Sequence, residues 1–355
     1  MDRKSVIILV VSFIVIFSWS ILTNKIWPPK PIPGYKTNMV ALATNQPARG
    51  TNAPAIAANT NAAAPLLPVT NTNAPEQTIV LANDLARYTF TSHGGGIKQF
   101  ELLHYPETVG CQSKVAQTNL ATLNAGAPLP VLALSGAEAL QGDGIYQLEK
   151  TATGLIARKQ LPGGLVIEKE FEIKSSYLVP ATLRVRNTSA QAVSIPSQEV
   201  SLGTATPMGP LDNEQAVNVQ WYDGSSDQKV DQTWFANRFL GCFAGTPREV
   251  YTAGANNVRW AAVQNQFFTI AVMPAEPAAQ MIVRKIDLPP PGKDILALNP
   301  KANLKPFGQP AWIVFNPTNL PPNSILERKL TLFAGPKENR TLGAAIFSIF
   351  LDPIA

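Results

Sequence analysis

The sequence predicts an all-β protein, built as an antiparallel β-sandwich, and two observations support this fold class. The first is the alternation of apolar and charged residues in Leu165–Lys174. Apolar side chains at positions 165, 167, 171 and 173 share one face, and charged side chains at 168, 170, 172 and 174 share the other, as in a strand between a core and water. The second is the content of 31 prolines and 23 glycines in 355 residues, which suits many turns rather than a helical bundle.

The start of the chain predicts a membrane anchor over residues 1–27. The run from Ser5 to Leu22 carries no charge and is close to the roughly 20 residues that a helix needs to cross a bilayer. Cleavage as a secretory signal is the weaker alternative, because the following segment, Thr23–Pro29, is bulky, charged and proline-rich. No cysteine stands directly behind the run, which excludes a lipoprotein anchor. The side chains taken to mark the membrane span are Val6, Ile14, Trp19 and Leu22.

Three further regions follow the anchor. Residues 28–77 are rich in Pro, Ala, Asn and Thr and predict a disordered or extended linker, since few of their side chains could build a core. The β-rich domain is expected over 78–336, and a separate C-terminal segment over 337–355. In that segment Leu342, Ala345, Ile346, Ile349 and Phe350 recur at helical spacing. They predict a short amphipathic helix over Glu338–Leu351, packed on the domain or lying at the membrane surface.

Two hairpins are expected within the β domain. Leu85–Thr91 and Ile97–Leu103 flank Ser92–Gly96, whose three glycines allow positive φ angles. The strand at 165–174 and the alternating segment at 183–186 form the second hairpin. Further strands are expected at 217–222, 258–263, 267–273, 281–287, 311–316 and 326–333.

Composition excludes some function classes and leaves one question open. Charged residues make up 15% of the chain and the net charge is +5. Because no run of like charges occurs, nucleic acid is not an expected partner. Cys111 and Cys242 could form a disulfide outside the cytoplasm or stay buried and reduced, and both alternatives remain open.

The sequence lacks a recognisable catalytic constellation. His93 and His104 are the two histidines, and their spacing matches no metal motif. We therefore predict no catalytic residues, no cofactor and no metal, and interpret the protein as not an enzyme. Three aromatic pairs could line a groove for peptide or sugar, although in a sandwich such rings are more often core residues. The pairs are Trp221-Tyr222, Trp234-Phe235 and Phe267-Phe268, and the first two are the candidate groove residues.

Several motifs, taken in order, resemble the bacterial YidC membrane protein insertases. Trp260–Pro274 looks like the W…QYF…P segment of this family, with Phe267 in the Tyr position. The other matching motifs are the start Met1–Lys4 with the linker behind it, the hairpin Tyr88–Ile97 followed by Leu102–Pro106, the strand Glu168–Phe171 followed by Tyr177 and Asn187, and Gly335-Pro336 at the close of the domain.

The resemblance implies a periplasmic β-supersandwich, similar to sugar-binding mutarotase-like domains and tethered to the bacterial inner membrane and its lipid bilayer by the N-terminal helix. It also implies assistance in inserting and folding inner-membrane client proteins, with or without Sec translocon subunits. In the family the activity resides in a five-helix membrane bundle behind this domain, so the chain would be the front portion of an insertase. A mutarotase-like sugar-binding protein or enzyme and a membrane-tethered envelope scaffold remain alternative hypotheses.

Overall fold

The computed structural model describes residues 74–107, 119–209, 212, 214–238, 245–298 and 300–338. The predicted anchor, most of the predicted linker, both cysteines and all but the first residue of the predicted C-terminal helix lie outside these ranges. Within them, no helix combines the length and the apolar character needed to cross a membrane. Three short helices are described: α1 (Glu138–Gln141), α2 (Gln232–Ala236) and α3 (Lys293–Leu298).

Antiparallel strands make up most of the described chain. Their bounds are β1 (Thr78–Ala82), β2 (Ala86–Thr91), β3 (Gly96–Pro106), β4 (Leu120–Leu123), β5 (Leu134–Ser135), β6 (Gln147–Lys150), β7 (Gly154–Leu161), β8 (Leu165–Glu172), β9 (Leu178–Asn187), β10 (Val193–Ile195), β11 (Gln198–Ala205), β12 (Asn218–Tyr222), β13 (Asp227–Asp231), β14 (Val250–Ala253), β15 (Trp260–Gln264), β16 (Phe268–Pro274), β17 (Gln280–Arg284), β18 (Ile286–Asp287), β19 (Phe307–Phe315), β20 (Thr318–Leu320) and β21 (Ile325–Pro336).

One layer of the sandwich is a nine-stranded sheet. Its strand order is β13-β12-β15-β16-β21-β9-β8-β7-β6. The central position belongs to β21, which pairs with β16 on one side and with β9 on the other. Hence β21 joins two groups of four strands into one sheet.

The opposite layer combines two smaller sheets. A six-stranded sheet has the order β14-β17-β19-β11-β5, with β18 also paired to β19, and a four-stranded sheet has the order β1-β2-β3-β4. A bridge between Ile97 and Val131, and a bond from the Leu132 amide to the Ser201 carbonyl at 2.8 Å, link the two. The four-stranded sheet faces the nine-stranded one, since the rings of Phe90 on β2 and Phe171 on β8 meet at 5.1 Å. β10 and β20 form a separate pair.

The position of each strand relative to the core explains whether its sequence alternates between apolar and charged residues. β8 has one face on the core, so its apolar residues alternate with charged ones. By contrast, all nine positions of β19 are buried, and a strand covered on both faces has no alternating pattern. Burial of each large apolar side chain contributes about 1.5–3 kcal/mol, so this core is the main favourable term for folding.

The predicted fold class is confirmed, with local differences. The chain is an antiparallel β-sandwich, and both hairpins form, as β2–β3 and β8–β9. The expected strand at 281–287 is interrupted into β17 and β18, and the one expected at 311–316 begins earlier, at Phe307. Lys169 departs from the alternation: it lies on the inner face of β8 and is 3% exposed.

Candidate functional site

Two of the four candidate groove residues, Trp221 and Trp234, contact Tyr251, and Phe235 packs edge-on against Trp234. Trp221 on β12 and Phe235 on α2 are buried, whereas Trp234 is half-buried. The indole N–H of Trp221 donates to the hydroxyl of Tyr251 at 3.2 Å, and the Trp234 ring meets the Tyr251 ring edge-on at 5.0 Å. Tyr251, on β14, was absent from the sequence prediction because no local pattern connects it to positions 221 and 234.

The fourth residue, Tyr222, lies apart from this cluster. Successive residues of a strand point to opposite faces, so Tyr222 faces away from Trp221. Its ring stacks on the ring of Trp260 across the β12–β15 pair, with centroids 6.2 Å apart and planes 21° apart. The four predicted residues therefore do not line one continuous groove.

Part of this aromatic cluster on α2 is exposed to solvent. We call Trp234, Tyr251 and Arg248 the Trp234 surface; the guanidinium of the exposed Arg248 lies 4.7 Å from the Trp234 ring centroid. Asp231 begins the helix by accepting a bond from the Thr233 amide at 2.9 Å. An aromatic ring beside a cation is a combination enriched in protein-binding surfaces.

A small pocket, partly open to solvent, lies between β4, β11 and the β15–β16 hairpin. The residues that line it carry no ionisable side chain; they include Asn124, Thr204, Gln264, Asn265 and Phe268. Thr204 is 3% exposed, and its hydroxyl has no hydrogen-bond partner within the described residues. The side-chain amide of Gln264 donates to Asn218 Oδ1 at 2.7 Å. An uncharged wall with spare hydrogen-bonding capacity, around a space of about one water molecule, suits a bound water and not acid–base chemistry.

Both histidines contact backbone carbonyls. His93 Nε2 lies 3.2 Å from the carbonyl oxygen of Ala74, and His104 Nε2 lies 2.9 Å from that of Asp84. Over the described ranges no three His, Cys, Asp or Glu side chains are grouped so that they could hold a metal ion. Within those ranges, neither imidazole makes a hydrogen bond to a carboxylate.

Lys169 is a feature that the sequence analysis missed. Burial, with a smaller effect of the Lys159 charge, lowers the pKa of the Lys169 ammonium to about 7. The available signal was a charged residue at a position where the strand alternation requires an apolar one. Strongly perturbed pKa values cluster at functional sites.

Taken together, the described strands form an antiparallel β-sandwich domain that carries the Trp234 surface and an uncharged pocket. The model of the YidC periplasmic domain family matches residues 78–352, and the chain belongs to this family. The membrane protein insertase YidC of Syntrophus aciditrophicus (strain SB) is 25% identical to this chain. That similarity covers 97% of this chain and 60% of the relative, so the chain spans less than two thirds of the length of this curated relative.

The solved structures to which this chain is similar include mutarotase-like proteins, at low sequence identity. A putative aldose 1-epimerase from Escherichia coli K12 is 12% identical, with a TM-score of 0.41, over 73% of this chain and 99% of that one. A galactose mutarotase related enzyme from Lactobacillus acidophilus is 10% identical, with a TM-score of 0.45, over 73% and 97% of the two chains.

Proposed function

We propose that this chain is the periplasmic portion of a membrane protein insertase, and that it assists insertion and folding of inner-membrane proteins by binding them. The observation that carries the proposal is the family match over residues 78–352. In this proposal the N-terminal helix tethers the domain to the inner membrane, and the domain works with or without the Sec translocon. The resemblance places insertion itself in a five-helix membrane bundle, and the role proposed for residues 1–355 is client binding.

The Trp234 surface is the proposed contact for client polypeptides. Trp234 is half-buried and held by Phe235 and Tyr251, so little conformational freedom is lost when a partner packs on it. Arg248 beside it adds a hydrogen-bond donor and a positive charge for carbonyl or carboxylate groups.

Site-specific photo-crosslinking tests this contact. A photoreactive residue replaces Trp234, and the matched control replaces Leu304, which is 62% exposed and outside the Trp234 surface. In inner-membrane vesicles carrying a stalled nascent membrane protein, we expect crosslinks to the client from position 234 and several-fold fewer from position 304. Equal yields at the two positions, or no crosslink at 234, would contradict the proposed contact.

A complementation assay tests the need for the membrane bundle. Residues 1–355 are produced in cells depleted of insertase, beside a full-length insertase as the positive control. We expect no restoration of insertion by residues 1–355, and restoration would contradict the division of labour proposed here.

The sugar-enzyme and scaffold hypotheses make different predictions. A mutarotase would accelerate anomer interconversion, and a His93→Ala change would remove that activity. We expect neither, because His93 Nε2 is in contact with the backbone carbonyl of Ala74. A pull-down that recovers cell-wall proteins and no client or translocon component would favour the scaffold.

A further inference from the structure

Lys169 is buried between the two layers of the sandwich. It lies on β8 of the nine-stranded sheet, and its Nζ donates to the carbonyl oxygen of Gly94, in the β2–β3 turn of the opposite layer, at 2.6 Å. The same Nζ lies 4.5 Å from the ring centroid of Tyr146. A small cavity beside it is lined by residues of both layers, among them Leu132 and Phe171. One side chain thus connects the turn to the sheet behind it.

The turn and a second segment form one unit over Lys169. The Gly94 amide donates to the Gly144 carbonyl at 2.7 Å, and the Tyr146 amide donates to the Ser92 carbonyl at 2.8 Å. The Tyr146 ring lies directly on Gly95, where an added Cβ would come within 2.4 Å of a ring carbon. We call residues 92–96 and 142–146 the paired loops.

The charged and titratable groups around Lys169 are few. Lys159 on β7 has its Nζ 5.4 Å from the same Tyr146 ring; it donates to the Gln141 carbonyl and to Asp143 Oδ1, the latter at 2.6 Å. Tyr146 and His93 belong to the paired loops themselves. Across the sheet, the direct neighbours of Lys169 are Ala157 and Leu183. No carboxylate within the described residues makes a hydrogen bond or ion pair to Lys169.

We propose that Lys169 is a proton-controlled latch that holds the paired loops against the nine-stranded sheet and releases them when it is protonated. An ammonium at this position has a carbonyl and a ring face as partners but no counter-ion, whereas an opened state would return it to water. Protonation therefore favours the open state.

The size of the effect follows from linkage. In the closed state the pKa of Lys169 is lowered to about 7, and in an open, solvated state it would return to roughly 10.4. The ratio of open to closed molecules is therefore lowest above both pKa values and rises as pH falls, until it levels off below the closed-state pKa. Between pH 9 and pH 6 this amounts to about a 100-fold rise in the open population.

Hydrogen exchange on the full chain in lipid nanodiscs tests the latch. Protection factors, corrected for the intrinsic pH dependence of exchange, are measured between pH 6 and pH 9 for peptides covering the paired loops. We expect the protection factors of the paired loops to fall about 100-fold between pH 9 and pH 6. The protection factors of Ala262 and Ala271, which pair across β15 and β16, should not change. Protection that is independent of pH in the paired loops would overturn the proposal.

Two variants separate Lys169 from other titrating groups. Lys169→Met removes the titrating amine and retains His93, so the pH dependence should disappear. Lys174→Met, which removes an exposed lysine just beyond β8, should retain it. A pH dependence that survives in Lys169→Met would contradict the latch.

A direct titration of Lys169 in the wild-type chain does not depend on whether the variants fold. In the wild-type chain, the ¹³Cε resonance of Lys169 reports its protonation in the closed state. A midpoint near pH 7 supports the latch, and a midpoint near 10.4 would overturn it whatever the variants do.

Discussion

At the scale of single residues, Gly95 is constrained both by its backbone and by its surroundings. Its φ angle is +58°, which residues with a side chain adopt at a cost, and the Tyr146 ring occupies the space of a Cβ. Gly126 has a similar φ of +65° but no heavy atom within 4 Å of a built Cβ. The two glycines thus separate the backbone requirement from the packing requirement.

We expect Gly95→Ala to lower the free energy of unfolding by roughly 3 kcal/mol or more, because a positive φ and overpacking both disfavour it. Gly126→Ala should cost only about 1 kcal/mol. Denaturant unfolding of both variants measures the difference. Equal losses would mean that the Tyr146 ring moves aside freely.

Asn187 is a second residue with a specific structural role. It is fully buried, its side-chain nitrogen donates to the carbonyls of Gln191, Leu320 and Pro321 at 2.7–3.1 Å, and Oδ1 accepts from the Ser189 amide at 3.0 Å. Asn187→Asp keeps the shape but directs a carboxylate at three carbonyl oxygens. We expect a loss of roughly 3 kcal/mol or more at neutral pH.

Asn319→Asp is the matched control for that change, since Asn319 is exposed on β20. It should alter the free energy of unfolding by less than about 0.5 kcal/mol. Thermal or denaturant unfolding at pH 7 compares the two, and a neutral Asn187→Asp variant would show that these bonds contribute little.

Single residues also show the limit of prediction from sequence. The hairpin around Gly94–Gly96 was predictable, because three adjacent glycines between alternating segments indicate a turn. Tyr251 was not, because its contacts with Trp221 and Trp234 depend on how α2 packs on β14. Lys169 carried a signal, as a charge on the apolar face, but its partner Gly94 belongs to the opposite layer and only the fold brings them together.

At the scale of elements, the outer face of β8, β9 and β21 carries a network of ion pairs. Arg184 bonds to Glu170 at 2.7 Å, to Glu327 at 2.9 Å and to Glu168 at 3.3 Å. Glu168 also accepts from Arg158 at 2.8 Å. Burial by itself would raise the pKa of Glu168, but the bonds and charges of Arg158 and Arg184 outweigh it and lower that pKa below 4.5.

A carboxyl group whose pKa is lowered by folding stabilises the folded state at pH values above its pKa in the unfolded state. This contribution is lost as the pH falls through the pKa that the group has in the folded state. We therefore expect Glu168→Gln to cost about 1 kcal/mol at pH 7 and to match the wild type in strong acid. Glu172→Gln, with a more exposed side chain at the end of the same strand, should cost less at pH 7. Unfolding curves across the acid range measure both, and a penalty that persists unchanged in acid would mean lost packing rather than lost ion pairs.

Elements also differ in how well sequence predicts them. β8 and β9 were recognisable because one face of each meets water and carries charge. β19 was recognised only in part, and β11 was missed, because both are buried along their whole length or nearly so. Strand pairing across the layers depends on distant segments, and no local pattern encodes it.

At the scale of the whole molecule, the sequence predicts a sharp change in protease susceptibility. The linker over 28–77 has little capacity to build a core, whereas β1 begins at Thr78. We expect limited proteolysis of the full chain in nanodiscs to cut within 28–77 and leave a resistant fragment starting near Thr78. Mass spectrometry of the fragments checks this, and protection of the linker would place the boundary elsewhere.

The central position of β21 has a consequence for the order of events during synthesis. Its partners β9 and β16 are made long before it, yet within the described strands β21 joins the two halves of the nine-stranded sheet. A chain that emerges N-terminus first cannot close that sheet until residues 325–336 appear, and pairing of such distant segments is slow. Until then the unpaired edges of β9 and β16 would be exposed to other chains, so a nascent domain of this topology should depend on protection by chaperones until its last strand is complete.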